Sequence, residues 1–188
     1  MITHWHIPIS GFTQTVGHPT GFDTLWQKLR RVTSPQCCLL HPQEWNADWR
    51  ALAEFISRNS TPVPYICVYA YSWGCGHGAV KLAKELRKRN LVVQCMVLCD
   101  PVFHSWVRPW RALVFSPAIR IPDNVRRVEW FFQRQNKPQA TTLVAQEPRV
   151  TAIGDGRELN CDHQHADDQN VFHLKCLELA AAYSELGE

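Results

Sequence analysis

Tyr65-Ile66-Cys67-Val68-Tyr69-Ala70-Tyr71-Ser72-Trp73-Gly74-Cys75-Gly76-His77-Gly78-Ala79 is the stretch that decides the fold. Pro64 precedes a continuous apolar run from Tyr65 to Tyr71, rich in aromatic and β-branched residues. Such a run has no polar face to offer water, so it suits a strand buried on both sides, as parallel strands are. From Cys75 to Asn90 the period becomes helical. Val80, Ala83 and Leu86 fall on one face, and Lys81, Lys84, Lys88 and Arg89 fall elsewhere. Leu91 to Cys99 returns to a buried strand and ends at Asp100. A strand, a helix and a second doubly buried strand imply a βαβ crossover in a parallel sheet covered by helices on both faces.

The flanking sequence extends this pattern. His6 to Ser10 is a short apolar run ending at Gly11 and predicts a strand. Asp23 is placed to cap a helix through about Arg31, and Cys37 to Leu40 predicts a second short strand. Trp45, Trp49, Leu52, Phe55 and Ile56 recur at spacings of three and four, which predicts an amphipathic helix. Downstream, Pro101 to Pro122 is rich in Trp, Pro and Arg and reads as a long surface excursion. Val125 to Gln133, Thr141 to Ala145 and Arg157 to Cys161 read as strands, and Gln169 to Glu185 as a closing helix.

Length and composition bound the function. The chain has 188 residues, 45% hydrophobic and 20% charged, which excludes a disordered chain and leads us to expect one domain over 1–188. A net charge of +3 is too small to argue by itself for nucleic acid or an anionic membrane. No apolar run approaches the roughly 18 residues of a membrane span. The N-terminus shows no basic head followed by an apolar stretch, so no secretory signal is expected. The eight cysteines fall below the density of a disulfide scaffold, and several sit inside strand-like runs. Buried reduced thiols, and hence a cytoplasmic location, are expected.

Ala70-Tyr71-Ser72-Trp73-Gly74 has the pattern small-x-Ser-x-small at a strand-to-helix turn. A turn that tight brings the positions two residues either side of the serine against neighbouring backbone, so small residues are needed there. It exposes the hydroxyl at the carboxyl edge of the sheet and aims the first helical N–H groups toward it. Gly74, Gly76 and Gly78 let the helix approach the strand closely. The same serine is also suited to a plain N-cap. A serine hydroxyl becomes a useful nucleophile when a base takes its proton, and the base needs an orienting acid. Asp100 stands at the end of the next strand, with Asp123 and Asp155 as weaker alternatives. The base is sought in Asp162-His163-Gln164-His165, with His163 favoured and His165 as the alternative. An oxyanion site needs two N–H donors, for which the amides of Trp73 and Phe12 are candidates. Phe103, Trp106 and Trp110, close after Asp100, are candidates for an apolar acyl pocket.

The elbow at Tyr71-Ser72-Trp73-Gly74, Leu98-Cys99-Asp100-Pro101-Val102, Ile121-Pro122-Asp123-Asn124-Val125, Phe131-Phe132-Gln133 and Asp162-His163 before Asp167 together carry a family resemblance. From about Ile7 to about Leu177 the chain resembles small lipase-like serine hydrolases of the α/β-hydrolase superfamily, of the compact kind found in bacteria and their phages. The resemblance implies an α/β-hydrolase-like three-layer sandwich without a large cap domain. It also implies a Ser72–Asp100–His163 triad and an ester or thioester substrate, with no cofactor. Ala70 stands where many members have Gly, and the doubled His163 and His165 leave the base open.

Other readings compete. A catalytically degenerate hydrolase fold serving as a binding module has the same pattern. Cys161, His163, His165, Asp167, Asp168 and His173 are metal-ligand types, but their spacing matches no usual structural zinc site, and no metal is expected. Cys75, in the first helical turn after Ser72, reads as packing rather than as a reactive thiol. Lys81, Lys84, Arg87, Lys88 and Arg89, with the aromatic–basic loop from Trp106 to Arg111, would serve a nucleic-acid site. A solvated helix face is the simpler reading, and no nucleic-acid partner is expected.

Overall fold

A computed structural model describes residues 1–12, 20–34, 36–103 and 118–184. In chain order its elements are β1 (Ile2–Ile9), α1 (Gly21–Val32), β2 (Cys37–Leu39), α2 (Trp49–Asn59), β3 (Ser60–Tyr71), α3 (Val80–Arg87), β4 (Val93–Cys99), β5 (Ile119–Ile121), β6 (Val125–Phe132), β7 (Leu143–Ala145), β8 (Ala152–Ile153), β9 (Arg157–Glu158) and α4 (Asn170–Ser184). A π-helical segment, Gly74–Ala79, leads into α3, and a short 3₁₀ turn spans His163–His165. The central sheet runs β2-β1-β3-β4-β6-β8, with β9 also paired to β6. Every pairing among these strands is parallel.

The two-sided burial expected of β3 is present. Ile66, Val68 and Ala70 pack with Trp49, Ala53 and Ile56 of α2 and with Leu82, Ala83 and Leu86 of α3. Cys67, Tyr69 and Tyr71 point to the other side, against Phe22, Leu25 and Leu29 of α1 and Phe172, Cys176 and Leu179 of α4. The chain is thus α/β, with helices on both faces of a parallel sheet. Connection direction explains which helix takes which face. The step from β1 to β2 runs one way across the sheet, and the steps from β2 to β3 and β3 to β4 run the other way. Right-handed crossovers then place α1 opposite α2 and α3. The connection direction reverses between β1 and β3, and open α/β sheets bind ligands at the carboxyl ends of the strands where it does so.

Several boundaries differ from the sequence reading. Thr20, not Asp23, caps α1: its hydroxyl accepts from Asp23 N, and the Asp23 carboxylate accepts from Thr20 N, a reciprocal capping box. Trp45 precedes α2 rather than opening it, because Asp48 caps that helix through Ala51 N at 3.0 Å. The excursion from Pro101 to Pro122 ends in β5, which pairs with β7 in a small second sheet, while 104–117 lie outside the described residues. The strand expected over Arg157 to Cys161 is paired only at Arg157–Glu158, and β8 carried too little apolar pattern to be found. All eight cysteines are free thiols, six of them buried. Among the described residues no helix is long and apolar enough to cross a membrane.

His6 lies on the α1/α4 side of β1, 1% exposed, with Nδ1 hydrogen-bonded to the Tyr69 hydroxyl at 2.9 Å. Burial, and secondarily the nearby His4, push its pKa from 6.5 down to about 4. The unfolded chain therefore binds this proton more readily. The stability is complete above about pH 6.5 and is lost as pH falls toward about 4, by at most about 3 kcal/mol. We expect the urea midpoint to drop more between about pH 7 and about pH 4.5 in the native protein than in His6→Asn, which lacks the titrating ring. Equal drops would show that another group governs the acid response.

Candidate functional site

β3 ends at Tyr71, opposite Cys99 of β4, so Ser72 and Asp100 leave adjacent strands side by side. Both adopt left-handed backbone, with φ of 53° at Ser72 and 43° at Asp100. For residues with a Cβ this costs roughly 1–2 kcal/mol each. Hydrogen bonds hold the strained pair. Ser72 N donates to Cys99 O at 2.9 Å, Asp100 N donates to Phe131 O at 2.8 Å, and Val102 N donates to Ser72 O at 3.1 Å. The chain turns into the helix at once, which drives Gly74 against the end of β1. A Cβ there would sit 2.5 Å from Ser10 O and 2.8 Å from Ile9 O. The small residue expected after the serine is thus required by close backbone approach.

Ser72, His163 and Asp100 form one continuous chain of contacts. Ser72 Oγ lies 2.9 Å from His163 Nε2, and His163 Nδ1 lies 2.5 Å from Asp100 Oδ2. Carboxylate oxygens only accept, so Nδ1 carries the proton given to Asp100, and Nε2 is left to accept from the serine hydroxyl. Asp100 is wholly buried, and its second oxygen, Oδ1, accepts from Gln133 N at 3.3 Å. A buried carboxylate needs such partners on both oxygens. Ser72 is 4% exposed and His163 is 8% exposed.

The alternatives lie elsewhere. His165 is exposed and turns to Asp162, whose Oδ1 is 2.6 Å from its Nδ1; that hydrogen bond raises the His165 pKa. Asp123 is exposed and pairs with Arg87 at 2.7 Å. Asp155 lines a groove of about 340 Å³ with Trp130 and Lys175, beyond β6. Burial pushes the Cys75 thiol well above its ordinary pKa, so it packs rather than reacts. Lys88 and Arg89 of the basic face both pair with Glu85, one carboxylate against two cations. Among the described residues no three His, Cys, Asp or Glu side chains converge as metal ligands do.

The end of β1 abuts the serine: a Cβ on Gly11 would stand 3.1 Å from Ser72 Cβ. The Phe12 ring, half exposed, lies 5.0 Å from the Trp73 ring and 5.5 Å from Trp45. Trp73 also meets Trp45 at 5.4 Å and His77 at 4.9 Å, and His77 stacks on Phe103 at 4.8 Å. An aromatic wall therefore runs from the loop after β1, past the residue following Ser72, to the loop after β4. Trp106 and Trp110 lie outside the described residues. Sequence reasoning missed Trp45 and His77 as members of this wall. Trp45 was assigned to α2 by its spacing, whereas His77 was signalled by its place one helical turn after Trp73.

The close approach at Gly74 makes a stability prediction. Gly74→Ala forces backbone to move and should destabilise by roughly 1–3 kcal/mol, whereas Gly154→Ala meets the flexible end of Glu129 at 3.3 Å and Val128 O at an ordinary 3.5 Å, and should change little. Urea unfolding of the two variants reads the contrast, and equal midpoints would mean that the elbow tolerates a Cβ. In comparisons with known proteins, no family model and no curated protein matches the chain.

Proposed function

We propose that the chain is a serine hydrolase of the α/β-hydrolase type, acting on an ester or thioester through an acyl-enzyme. The observation that carries this reading is the unbroken contact from Ser72 Oγ through the His163 ring to the buried Asp100. In the proposed reaction Ser72 Oγ attacks the acyl carbonyl while His163 Nε2 takes its proton. Asp100 holds the imidazole in the required tautomer and stabilises the imidazolium. The amides of Phe12 and Trp73 are assigned to the oxyanion. His163 then gives the proton to the departing alcohol or thiol. Water attacks the acyl-enzyme by the same route in reverse, releasing the acid and restoring Ser72. The Phe12–Trp45–Trp73 wall favours a substrate with an apolar group beside the reacting carbonyl.

A fluorophosphonate probe, with mass spectrometry of the modified peptide, tests the reading. Labelling is expected at Ser72, absent in Ser72→Ala, nearly lost in His163→Ala and retained in His165→Ala. Asp100→Asn should slow acylation on the order of 10⁴-fold. A folded native protein that takes no label at Ser72 would instead be a binding module on a hydrolase-like scaffold.

A further inference from the structure

The base arrives on a loop rather than on a strand, so something must hold it. His163 opens the 3₁₀ turn His163–His165, which follows β9 and has no sheet pairing of its own. Both polar groups of the His163 main chain are bound by side chains from other parts of the fold. Its carbonyl accepts from the Tyr71 hydroxyl at 2.5 Å, and its N–H donates to Asn136 Oδ1 at 2.7 Å. Tyr71 is the residue before the serine, and its ring also stacks on the His163 imidazole, 5.3 Å between centroids and 30° between planes. Asn136 belongs to the loop after β6 that serves the acid. Gln133, 1% exposed, gives its own N–H to Asp100 Oδ1, and its side chain ties the loop together by accepting from Asn136 N and donating to Pro138 O.

We propose that Tyr71 and Asn136 are positioning residues of the triad, fixing the backbone of His163 from opposite ends so that its ring spans Ser72 and Asp100. This rests on the hydrolase reading above. Two fixed points determine where the Cα lies and which way the side chain leaves it. Nucleophile, acid and base are then referred to one frame: the strand bearing Ser72 holds the base carbonyl, and the loop bonded to Asp100 holds the base N–H. The Asn136 amide orientation follows from its partners, since Oδ1 must face the N–H of His163 and Nδ2 then donates to Gln164 Oε1 at 2.9 Å. Tyr71 meets the His163 ring only by stacking, and neither residue takes part in the proton transfer. Their loss should slow the chemistry without weakening substrate binding, because misplacement of a base by even a fraction of an ångström is felt in the barrier.

The test compares Tyr71→Phe, Asn136→Ala and Asn136→Asp in the full chain, using the rate of Ser72 phosphonylation by the fluorophosphonate probe, steady-state turnover of an aryl ester, and thermal unfolding. Removal of one hydrogen bond of this kind should lower kcat about tenfold, with KM unchanged. Asn136→Asp keeps the acceptor, and the Gln164 amide can turn to donate to it, so most of the lost rate should return. A merely structural role would lower the melting temperature and leave kcat of the folded fraction intact. Folded Tyr71→Phe and Asn136→Ala proteins that are labelled at Ser72 and turn over the ester at the native rate would overturn the positioning role and leave the triad standing. Native protein that takes no label at Ser72 would overturn both. Asn136→Ser, whose hydroxyl is too short to span the contact, replaces the alanine variant if that fails to fold.

Discussion

Parallel pairing of β3 with β4, with Tyr71 opposite Cys99, is the constraint on which the site depends. Parallel strands end together at one edge, so the first residues beyond them are neighbours without any further arrangement. Both of those residues then turn with positive φ, Ser72 toward its helix and Asp100 away from β4. The strain is of the order of a few kcal/mol for the pair, and the bonds from Ser72 N, Asp100 N and Val102 N lie in the same range at roughly 1 kcal/mol each. Asn90, the third non-glycine residue with positive φ among the described residues, stands just after α3, where asparagine tolerates this conformation at a helix end. The contrast is informative. One left-handed residue serves only to end a helix, and the other two coincide with the residues whose side chains meet His163.

The same sheet explains the chemistry the thiols do not perform. Cys67, Cys95 and Cys99 alternate onto the α1/α4 face of β3 and β4 and meet Cys161 and Cys176 there. Burial pushes the pKa of Cys67, Cys99 and Cys176 well up, and that of Cys95 to about 12. Thiols held protonated are small apolar side chains rather than nucleophiles or metal ligands. Beside them, the Ser72 hydroxyl in contact with His163 Nε2 is the distinguishing polar feature at the carboxyl ends of β3 and β4.

The layered parallel architecture was legible in the sequence because β3 and β4 are apolar without interruption and α3 is periodic. Ser72, Asp100 and His163 were legible as candidates because each ends a strand or follows one, so local pattern places them at one edge. The choice between His163 and His165 was not legible. Two histidines two positions apart in a 3₁₀ turn point in different directions, and which one faces inward depends on the Tyr71 hydroxyl and the Asn136 amide, neither of which has a sequence signature. The aromatic wall was half legible for the same reason: Phe12 and Trp73 flank motifs, whereas Trp45 is brought in by the loop that precedes the Asp48 cap.

The segment bearing His163 is also secured beyond that residue, and by a different kind of contact. Asp162 caps the turn through His165 N at 3.0 Å, and four residues after His163 the carbonyl of Asp167 accepts from His173 Nε2 of α4 at 2.7 Å. That leaves His173 Nδ1 to accept from Lys28 of α1 at 2.9 Å, so the ring must be neutral to make both bonds. Burial first, and the Lys28 ammonium second, hold its pKa below the ordinary histidine value, which keeps it in that form at neutral pH. Ordering a loop costs conformational entropy for every residue fixed, and a turn of three residues supplies few bonds of its own to offset that. The fold meets this cost by anchoring the segment to β3, to the loop after β6, and to the α1/α4 pair. A loop tied to three separate elements behaves as part of the sheet edge, and that rigidity keeps the His163 ring within hydrogen-bond reach of both Ser72 and Asp100, as the proposed base requires.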